Sequence, residues 1–280
     1  MACAARELRF GNIRRIFMNR RPHRLREWRA LQPRLAILFA AALLLLVRPP
    51  QTEGAEADAG EIRRVLAAAS RAAPADLAAR DRGGLDLSGL DFKGANLRGA
   101  VLRGANLEGA DLSGSILDLA ILRGARLGSA TLEGCSAFGA IFAGADLRDA
   151  KLSKAMLVAN LSGADLSGAD LSGAIMAADM RNQPMGLMRV VLANSVLRGA
   201  NLAGADLSRG DLEFADFTGA DLRGAILRRA DAAGADFRGA NLSGADFAEA
   251  DIQGARFDAA ASGTVRNLEN ARNREAAIFE

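Results

Sequence analysis

A period of five residues governs the hydrophobic pattern over most of the chain. Large apolar residues recur at every fifth position from Leu87 to Leu157 and again from Leu192 to Phe257. Ala usually lies two residues before each of these centres, Asp or Asn lies between, and Gly often ends the unit. A spacing of five fits neither the turn of an α-helix nor the alternation of a strand. The pattern therefore predicts a solenoid, in which each unit stacks on an equivalent one.

Two kinds of irregularity interrupt the repeat. The step between centres shortens to four at Leu161 and again at Met180, and residues 181–189 lose the pattern. Ala137 and Ala232 stand at centres where a large side chain is expected. We expect a break at 181–189 and thin packing beside the two alanines.

The repeated unit resembles that of the pentapeptide-repeat family, and the resemblance covers residues 85–257. It implies an all-β fold, a right-handed quadrilateral parallel β-helix with four units per coil. The centre and the small residue two before it then point inward, and the other three residues point outward. A narrow core of this kind needs a small side chain beside each large one, as Ala95 stands beside Leu97.

Both ends of a solenoid expose unpaired edges, so capping segments are expected. Residues 58–84 are predicted as an N-terminal helical cap, with a second short turn from Pro74 through Leu77. Residues 258–280 are predicted as a C-terminal cap or tail. A closing helix there is expected to use Val265, Leu268 and Ile278.

Residues 1–57 have the pattern of a basic leader and signal peptide. Many arginines precede an uninterrupted apolar run over residues 35–47, and Ala55-Glu56-Ala57 follows as a cleavage motif. The run is shorter than the roughly 20 residues that a membrane-spanning helix needs. We expect cleavage near Ala57 and a periplasmic or secreted product, with translation starting at Met1 or Met18. An uncleaved inner-membrane anchor is the alternative.

Charge is divided between the two parts of the chain. Residues 1–57 carry 11 Arg against 4 acidic residues, whereas residues 85–257 carry 17 Lys and Arg against 21 acidic residues. The high pI therefore comes from the leader and does not indicate nucleic-acid binding. Some members of the resembled family mimic DNA and bind gyrase in the cytoplasm, which requires a strongly acidic surface. That function is kept as an alternative.

Few residues suit catalysis or metal binding. The only histidine, His23, lies in the leader, and Cys135 occupies an inward small-residue slot that predicts a buried filler. Asp211, Asp231 and Asp251 recur at intervals of four units and are expected to stack. They are interpreted as turn residues whose mutual repulsion is reduced by the nearby Arg209, Arg228 and Arg229. The alternative is a column of carboxylates that binds cations such as calcium. We therefore expect no enzyme, no cofactor and no metal site.

Apolar residues replace the usual Asp or Asn at outward positions in one region. Val101, Ile121 and Ile141 do so at intervals of four units, which predicts one column on one face. We expect these residues and their neighbours to form a covered surface. The cover is a helix over 61–70, the break over 180–191, a partner protein or a second copy. This apolar patch comprises Val101, Ile116, Leu119, Ile121, Phe138, Ile141, Met156 and Val158. The predicted function is an exported scaffold or protein-interaction module.

Overall fold

The structure is a computed structural model that describes residues 53–70, 72–177, 188–260 and 265–280, with side chains from Ala59 onward. The apolar run of the leader, Met180 and most of the break predicted at 181–189 lie outside the described residues. None of the helices in these ranges is both long and apolar enough to span a bilayer.

The repeats wind into stacked coils joined by parallel β-bridges. The residue before each centre pairs with its equivalent in the next coil, as Asp86 pairs with Asn106 and Asn106 with Arg126. Four such positions complete a coil, which confirms the predicted four-sided parallel β-helix. Most bridges are isolated, because a turn follows every centre. In the described part of the chain, the regular sheet is one parallel pair, β1 (Arg256–Phe257) with β2 (Ile278–Phe279).

Apart from the short corner after Leu157, the described corners are tight turns with a left-handed residue in the third position. The carbonyl of Leu97, for example, accepts the N–H of Ala100 at 3.0 Å, and Gly99 between them has φ 64°. Positive φ at this position is the mark of a type II turn, which favours Gly because it lacks a Cβ. Leu119 and Phe214 adopt the same conformation with φ 60° and 56°.

The core is a set of vertical columns of large side chains with small partners. Leu97 and Leu117 are buried to 1% and 0% exposure, which confirms that the centres point inward. Near the C-terminal end, one column is aromatic. Phe217, Phe237, Phe257 and Phe279 stack with ring centroids 5.0, 5.1 and 5.3 Å apart.

Besides the last coil, two described coils depart from the common length. The stretch of chain between the bridged residues Ile141 and Asn160 is one residue shorter than in a regular coil. The reason is that the shortened step leaves out one corner residue. Val158 is consequently buried rather than outward as predicted. The two residues bridged between Asn160 and Val191 are much farther apart in sequence, and among the described residues the bridged position that follows Ile175 is Val191. This long coil contains the predicted break.

Helix α1 (Glu53–Ala68) covers the N-terminal end of the solenoid, and its Ile62 is buried in the shared core. The predicted cleavage point at Ala57 falls within this helix. Among the described residues the first bridge is at Asp76, before the boundary predicted at Leu85. Leu77 fills the interior of the first coil instead of continuing a helical turn, because its neighbours bond to the next coil.

The C-terminal segment adds an irregular last coil instead of the predicted closing helix. It contains two 3₁₀ helices, Leu268–Asn270 and Arg274–Ala276, followed by β2. Val265 and Leu268 are buried as predicted, but Ile278 is 46% exposed. The reason is pairing in β2, where Phe279 at the adjacent position turns inward to stack on Phe257.

Candidate interaction surface

The apolar patch lies on two adjoining faces of the solenoid and the corner between them. Face 1 is the bridged column through Ile116, Ser136, Met156 and Ile175, and face 2 is the bridged column through Val101, Ile121, Ile141, Asn160 and Val191. Leu119 and Phe138 belong to the corner that leads from face 1 to face 2. The repeat register thus brings the predicted residues together.

The patch residues differ in how much side chain they present to solvent. Ile116 and Met156 are each 41% exposed and Leu119 is 53% exposed. Val101, Phe138, Ile121 and Ile141 are half-buried. Val158 is buried and presents no surface. Face 2 is therefore a shallow apolar floor, and the projecting side chains come from face 1 and the corner.

Two exposed residues extend the patch beyond the sequence prediction. Ile175 is 51% exposed at the next position of face 1, and Met188 is 40% exposed just before face 2 resumes at Val191. Ile175 obeys the same rule as Met156, but the short coil places it one position earlier than the regular spacing predicts. Met188 follows the break, whose path no repeat predicts. The extended patch is the apolar patch without the buried Val158 and together with Ile175 and Met188.

The corner of the extended patch is locally well ordered. The Asp118 carboxylate accepts the Phe138 N–H at 3.0 Å and the Ser136 hydroxyl at 2.5 Å, which ties one coil to the next. Leu119 and Met188 lie over Gly139. A Cβ on that glycine would stand 2.9 Å from Leu119 Cδ2 and 3.3 Å from Met188 Cε. Met188 therefore covers part of the corner, while the face 1 residues stay open.

Helix α1 packs elsewhere. Its Ile62 and Val65 line a small pocket with Leu77 of the first coil, and Glu61 Oε1 pairs with Arg80 Nη1 at 3.0 Å. The exposures of Ile116, Met156 and Ile175 are those with α1 in place. The helix considered as a cover for the patch thus caps the end of the solenoid.

Outward aspartates elsewhere on the solenoid act as turn residues. The Ser88 hydroxyl and N–H bond to the Asp86 carboxylate and lower its pKa. Hydrogen bonds from the Arg148 guanidinium likewise lower the pKa of Asp146. Each side chain holds the N–H two residues ahead, as short polar side chains do in turns.

The aspartate column stacks as predicted, with Asp211 bridged to Asp231 and Asp231 to Asp251. Its charge partners differ from the predicted arginines. Arg189 lies 3.2 Å from Asp211 and Arg272 lies 3.6 Å from Asp251. The predicted Arg228 and Arg229 instead pair with Asp246 and Glu249, because they lie on the neighbouring corner.

The remaining candidates for a reactive or metal-binding site are Cys135, Glu213 and clusters of potential metal ligands. Burial raises the pKa of the Cys135 thiol to about 12, so the thiolate needed for nucleophilic attack does not form near neutral pH. Repulsion from Asp231 and Asp211 raises the pKa of Glu213. In the ranges with described side chains, no cluster of three or more potential ligands could hold a metal ion.

The family model for pentapeptide repeats matches the sequence in eight copies, over residues 84–118, 120–157, 159–177, 187–224 and 225–260. These stretches coincide with the periodic segments, and the gap from 178 to 186 coincides with the break. Among curated proteins, none matches the sequence.

Several solved structures are similar to this chain. One is HetL, a pentapeptide repeat protein involved in heterocyst differentiation regulation from the cyanobacterium Nostoc sp. strain PCC 7120. HetL is 31% identical to this chain, the match covers 79% of this chain and 92% of HetL, and the TM-score is 0.44. A trypsin-treated variant of QnrB1, a plasmid-mediated fluoroquinolone resistance protein, is 23% identical, with 64% and 79% covered and a TM-score of 0.38. A pentapeptide repeat protein from the Arabidopsis thaliana thylakoid lumen is 26% identical, with 55% and 70% covered and a TM-score of 0.20.

Proposed function

Because the chain belongs to the pentapeptide-repeat family, as its period predicted, we propose that it is a non-catalytic scaffold that holds a partner protein on the extended patch. One observation carries this proposal. Seven large apolar side chains are exposed in the described part of the chain, and five of them lie on this one edge: Ile116, Leu119, Met156, Ile175 and Met188. A contiguous apolar surface on a soluble domain is typical of an interaction site.

The solenoid also suits a docking role because it is stiff. On face 2, the Ile121 N–H donates to the Ala100 carbonyl at 2.8 Å and the Leu122 N–H donates to the Ile141 carbonyl at 2.7 Å. Such ladders fix the backbone of every coil to the next. A partner that binds a preformed surface spends little free energy on ordering it.

The alternative of a cytoplasmic DNA mimic has less support. Mimicry of duplex DNA needs unneutralised negative charge in regular rows. Many carboxylates of the upper coils are instead paired, such as Asp216 with Arg198 at 2.6 Å and Asp246 with Arg228 at 2.6 Å. The repeat region also carries nearly as many basic as acidic residues.

Charged substitutions in the extended patch test the scaffold proposal. We expect the double variant Ile116→Asp and Ile175→Asp to lose its partner in quantitative affinity capture from cell extract. Both side chains are exposed, so the free energy of unfolding should change by less than about 1 kcal/mol for the pair. The measurement compares wild type and variants by mass spectrometry of the captured proteins, with circular dichroism melting as the check on folding.

Phe214→Asp is the matched control, because Phe214 is 62% exposed and lies outside the extended patch. A protein retained by wild type and by the control but lost by the double variant supports the proposal. An identical captured set for all three proteins contradicts it.

Export is the second part of the proposal. The basic leader, the apolar run and the Ala-Glu-Ala motif support secretion. On expression of the full chain in a bacterium, we expect the protein in the periplasmic fraction with Asp58 as its first residue. Because Trp28 is the only tryptophan and there is no tyrosine, this product should absorb almost no light at 280 nm. Mass spectrometry of the N-terminus of the fractionated protein shows whether the leader has been cleaved and where. Full-length protein in the membrane fraction indicates the anchored alternative, and full-length protein in the cytosol contradicts export.

A further inference from the structure

The extended patch has a basic rim, although the repeat region as a whole is slightly acidic. Arg103 and Arg123 follow the face 2 centres, so each lies two residues along the coil from an apolar floor residue, Val101 or Ile121. Arg98 lies on the corner between the two faces, one coil below Asp118. All three arginines are exposed. Within the described ranges, none of them forms an ion pair or a side-chain hydrogen bond.

This rim differs from four arginines of the upper coils. Arg223, Arg228, Arg229 and Arg238 each bind a carboxylate at 2.5–2.8 Å. The opposite rim of the extended patch, before face 1, carries Glu133 and Lys154, whose charges offset each other. Asp81 lies in the same column one coil below Val101 and is exposed, but it forms no ion pair with the three arginines. The three arginines therefore lie beside the apolar floor without being paired to a carboxylate of the described chain.

The backbone of face 2 limits how a partner can bind there. The Val101 N–H donates to the Arg80 carbonyl at 2.9 Å and the Leu102 N–H donates to the Ile121 carbonyl at 2.7 Å. An added strand would find these groups already bonded, so strand addition is excluded on this face. Recognition must use side chains, which favours an amphipathic helix lying along the apolar floor.

The dimensions of the floor suit such a helix. From Val101 to Val191, face 2 crosses five bridged positions, four of them apolar and one, Asn160, polar. The four intervals of about 4.8 Å give about 19 Å. A helix of about 13 residues has this length. The coil spacing is close to the α-helical pitch of about 5.4 Å, so successive turns can meet successive coils.

Helix α1 of this chain already uses the same chemistry. Its Ile62 packs against the first coil, and its Glu61 pairs with Arg80 at 3.0 Å. The unpaired arginines beside face 2 offer the same contact to a helix from outside. We propose that the occupant of the extended patch is an acidic amphipathic helix of a partner protein, with its apolar stripe along face 2 and its carboxylates on Arg98, Arg103 and Arg123. This inference rests on the proposed docking function.

Two other occupants fit the observations less well. A lipid surface would also attract arginines, but Val101, Ile121 and Ile141 are half-buried and cannot insert among acyl chains. A second copy that presented its own extended patch would bring the same unpaired arginines together, and like charges repel.

Designed peptides test the charge preference. The probes are two labelled helices of about 18 residues, long enough to cover the floor, with the same leucine stripe. One is flanked by glutamates and the other by lysines. We expect fluorescence anisotropy to show binding of the glutamate peptide at least about tenfold tighter than the lysine peptide. The variant Arg103→Glu with Arg123→Glu should reverse this order. Lys151→Glu, an exposed charge reversal on another face, should leave it unchanged.

The outcomes separate this inference from the docking function. Equal binding of both peptides that is lost in the Ile116→Asp and Ile175→Asp variant overturns the acidic preference and leaves an apolar docking surface. No binding of either peptide, together with an unchanged captured set for that variant, overturns both. Arginine-dependent binding to phosphatidylglycerol vesicles without binding of the glutamate peptide assigns the surface to lipid. Arginine-dependent dimerisation in sedimentation, with no peptide binding, assigns it to a second copy. Either result overturns the helix proposal.

Discussion

Replacement of Phe237 by alanine is expected to lower the free energy of unfolding by about 3–5 kcal/mol. Phe237 is the hub of the aromatic column, since it stacks on Phe217 at 5.0 Å and on Phe257 at 5.1 Å, and meets the edge of Phe247 at 5.5 Å. The side chain is 1% exposed. Its removal forfeits buried apolar area, leaves a cavity between rigid coils and breaks three ring contacts at once.

The loss should appear first in the last coils. In a solenoid each coil contacts only its neighbours, so a defect at one level uncouples the coils on either side of it. We expect the amides from residue 237 to the C-terminus to exchange faster with solvent in the Phe237→Ala variant, and the melting temperature to fall by on the order of 10 °C. Hydrogen exchange followed by mass spectrometry and calorimetry measure the two effects.

Phe214→Ala is the control for this prediction. Phe214 is also a phenylalanine of the upper coils, but it is 62% exposed at a corner, where its ring lies over Gly234. A change within about 0.5 kcal/mol is expected, as for most surface substitutions. Equal melting temperatures for the two alanine variants would show that the aromatic column does not hold the C-terminal coils together.

The interior of the solenoid could be predicted from sequence because its two rules are local. A period of five sets which residues point inward, and a narrow core demands a small residue beside a large one. Leu97 and Leu117, with the small residues Ala95 and Ser115 two positions before them, follow from these rules alone. Gly at the corners follows from the left-handed conformation of each turn.

The ends could not be predicted in the same way, because they do not repeat. The bridge from Arg256 to Ile278 encloses more of the chain than a regular coil does, so the extra residues form 3₁₀ turns where the apolar spacing favoured a helix. Pairing in β2 then sets the outward direction of Ile278 and the inward direction of Phe279. Partner strands that are fixed by tertiary contact leave little trace in local sequence.

The candidate surface was predictable only where the register is constant. Val101, Ile121 and Ile141 were found because regular coils separate them, whereas the short coil moved Ile175 out of the expected position and buried Val158. Met188 depends on the long coil, whose extra length carries no period. The arginine rim was hidden for another reason. Some arginines pair with the Asp two residues before them, as Arg223 does with Asp221, and others pair with an Asp of a neighbouring coil, as Arg198 does with Asp216. An unpaired arginine is therefore identified only when both positions are known.

Ser115→Ala is expected to stabilise the protein by about 1–3 kcal/mol, the cost of a buried hydroxyl without a partner. Ser115 occupies an inward small slot that is usually alanine, is 0% exposed, and its Oγ has no hydrogen-bond partner in the described structure. Alanine keeps the size of the slot and removes the unsatisfied group. A rise in melting temperature of several degrees should follow.

Ser195 is the matched comparison, because it fills the equivalent small-residue slot of another repeat unit, on a different face, and is 1% exposed. Its hydroxyl donates to the Leu192 carbonyl at 2.6 Å, and that carbonyl also accepts the Ser195 N–H at 3.0 Å. Ser195→Ala therefore loses one hydrogen bond, while the Leu192 carbonyl keeps its bond to the backbone N–H. No gain in stability is expected. Equal melting temperatures for the two variants would mean that the Ser115 hydroxyl binds the Leu112 carbonyl in the same way. A higher melting temperature for Ser115→Ala alone would show that alanine is more stable than the native serine at this position.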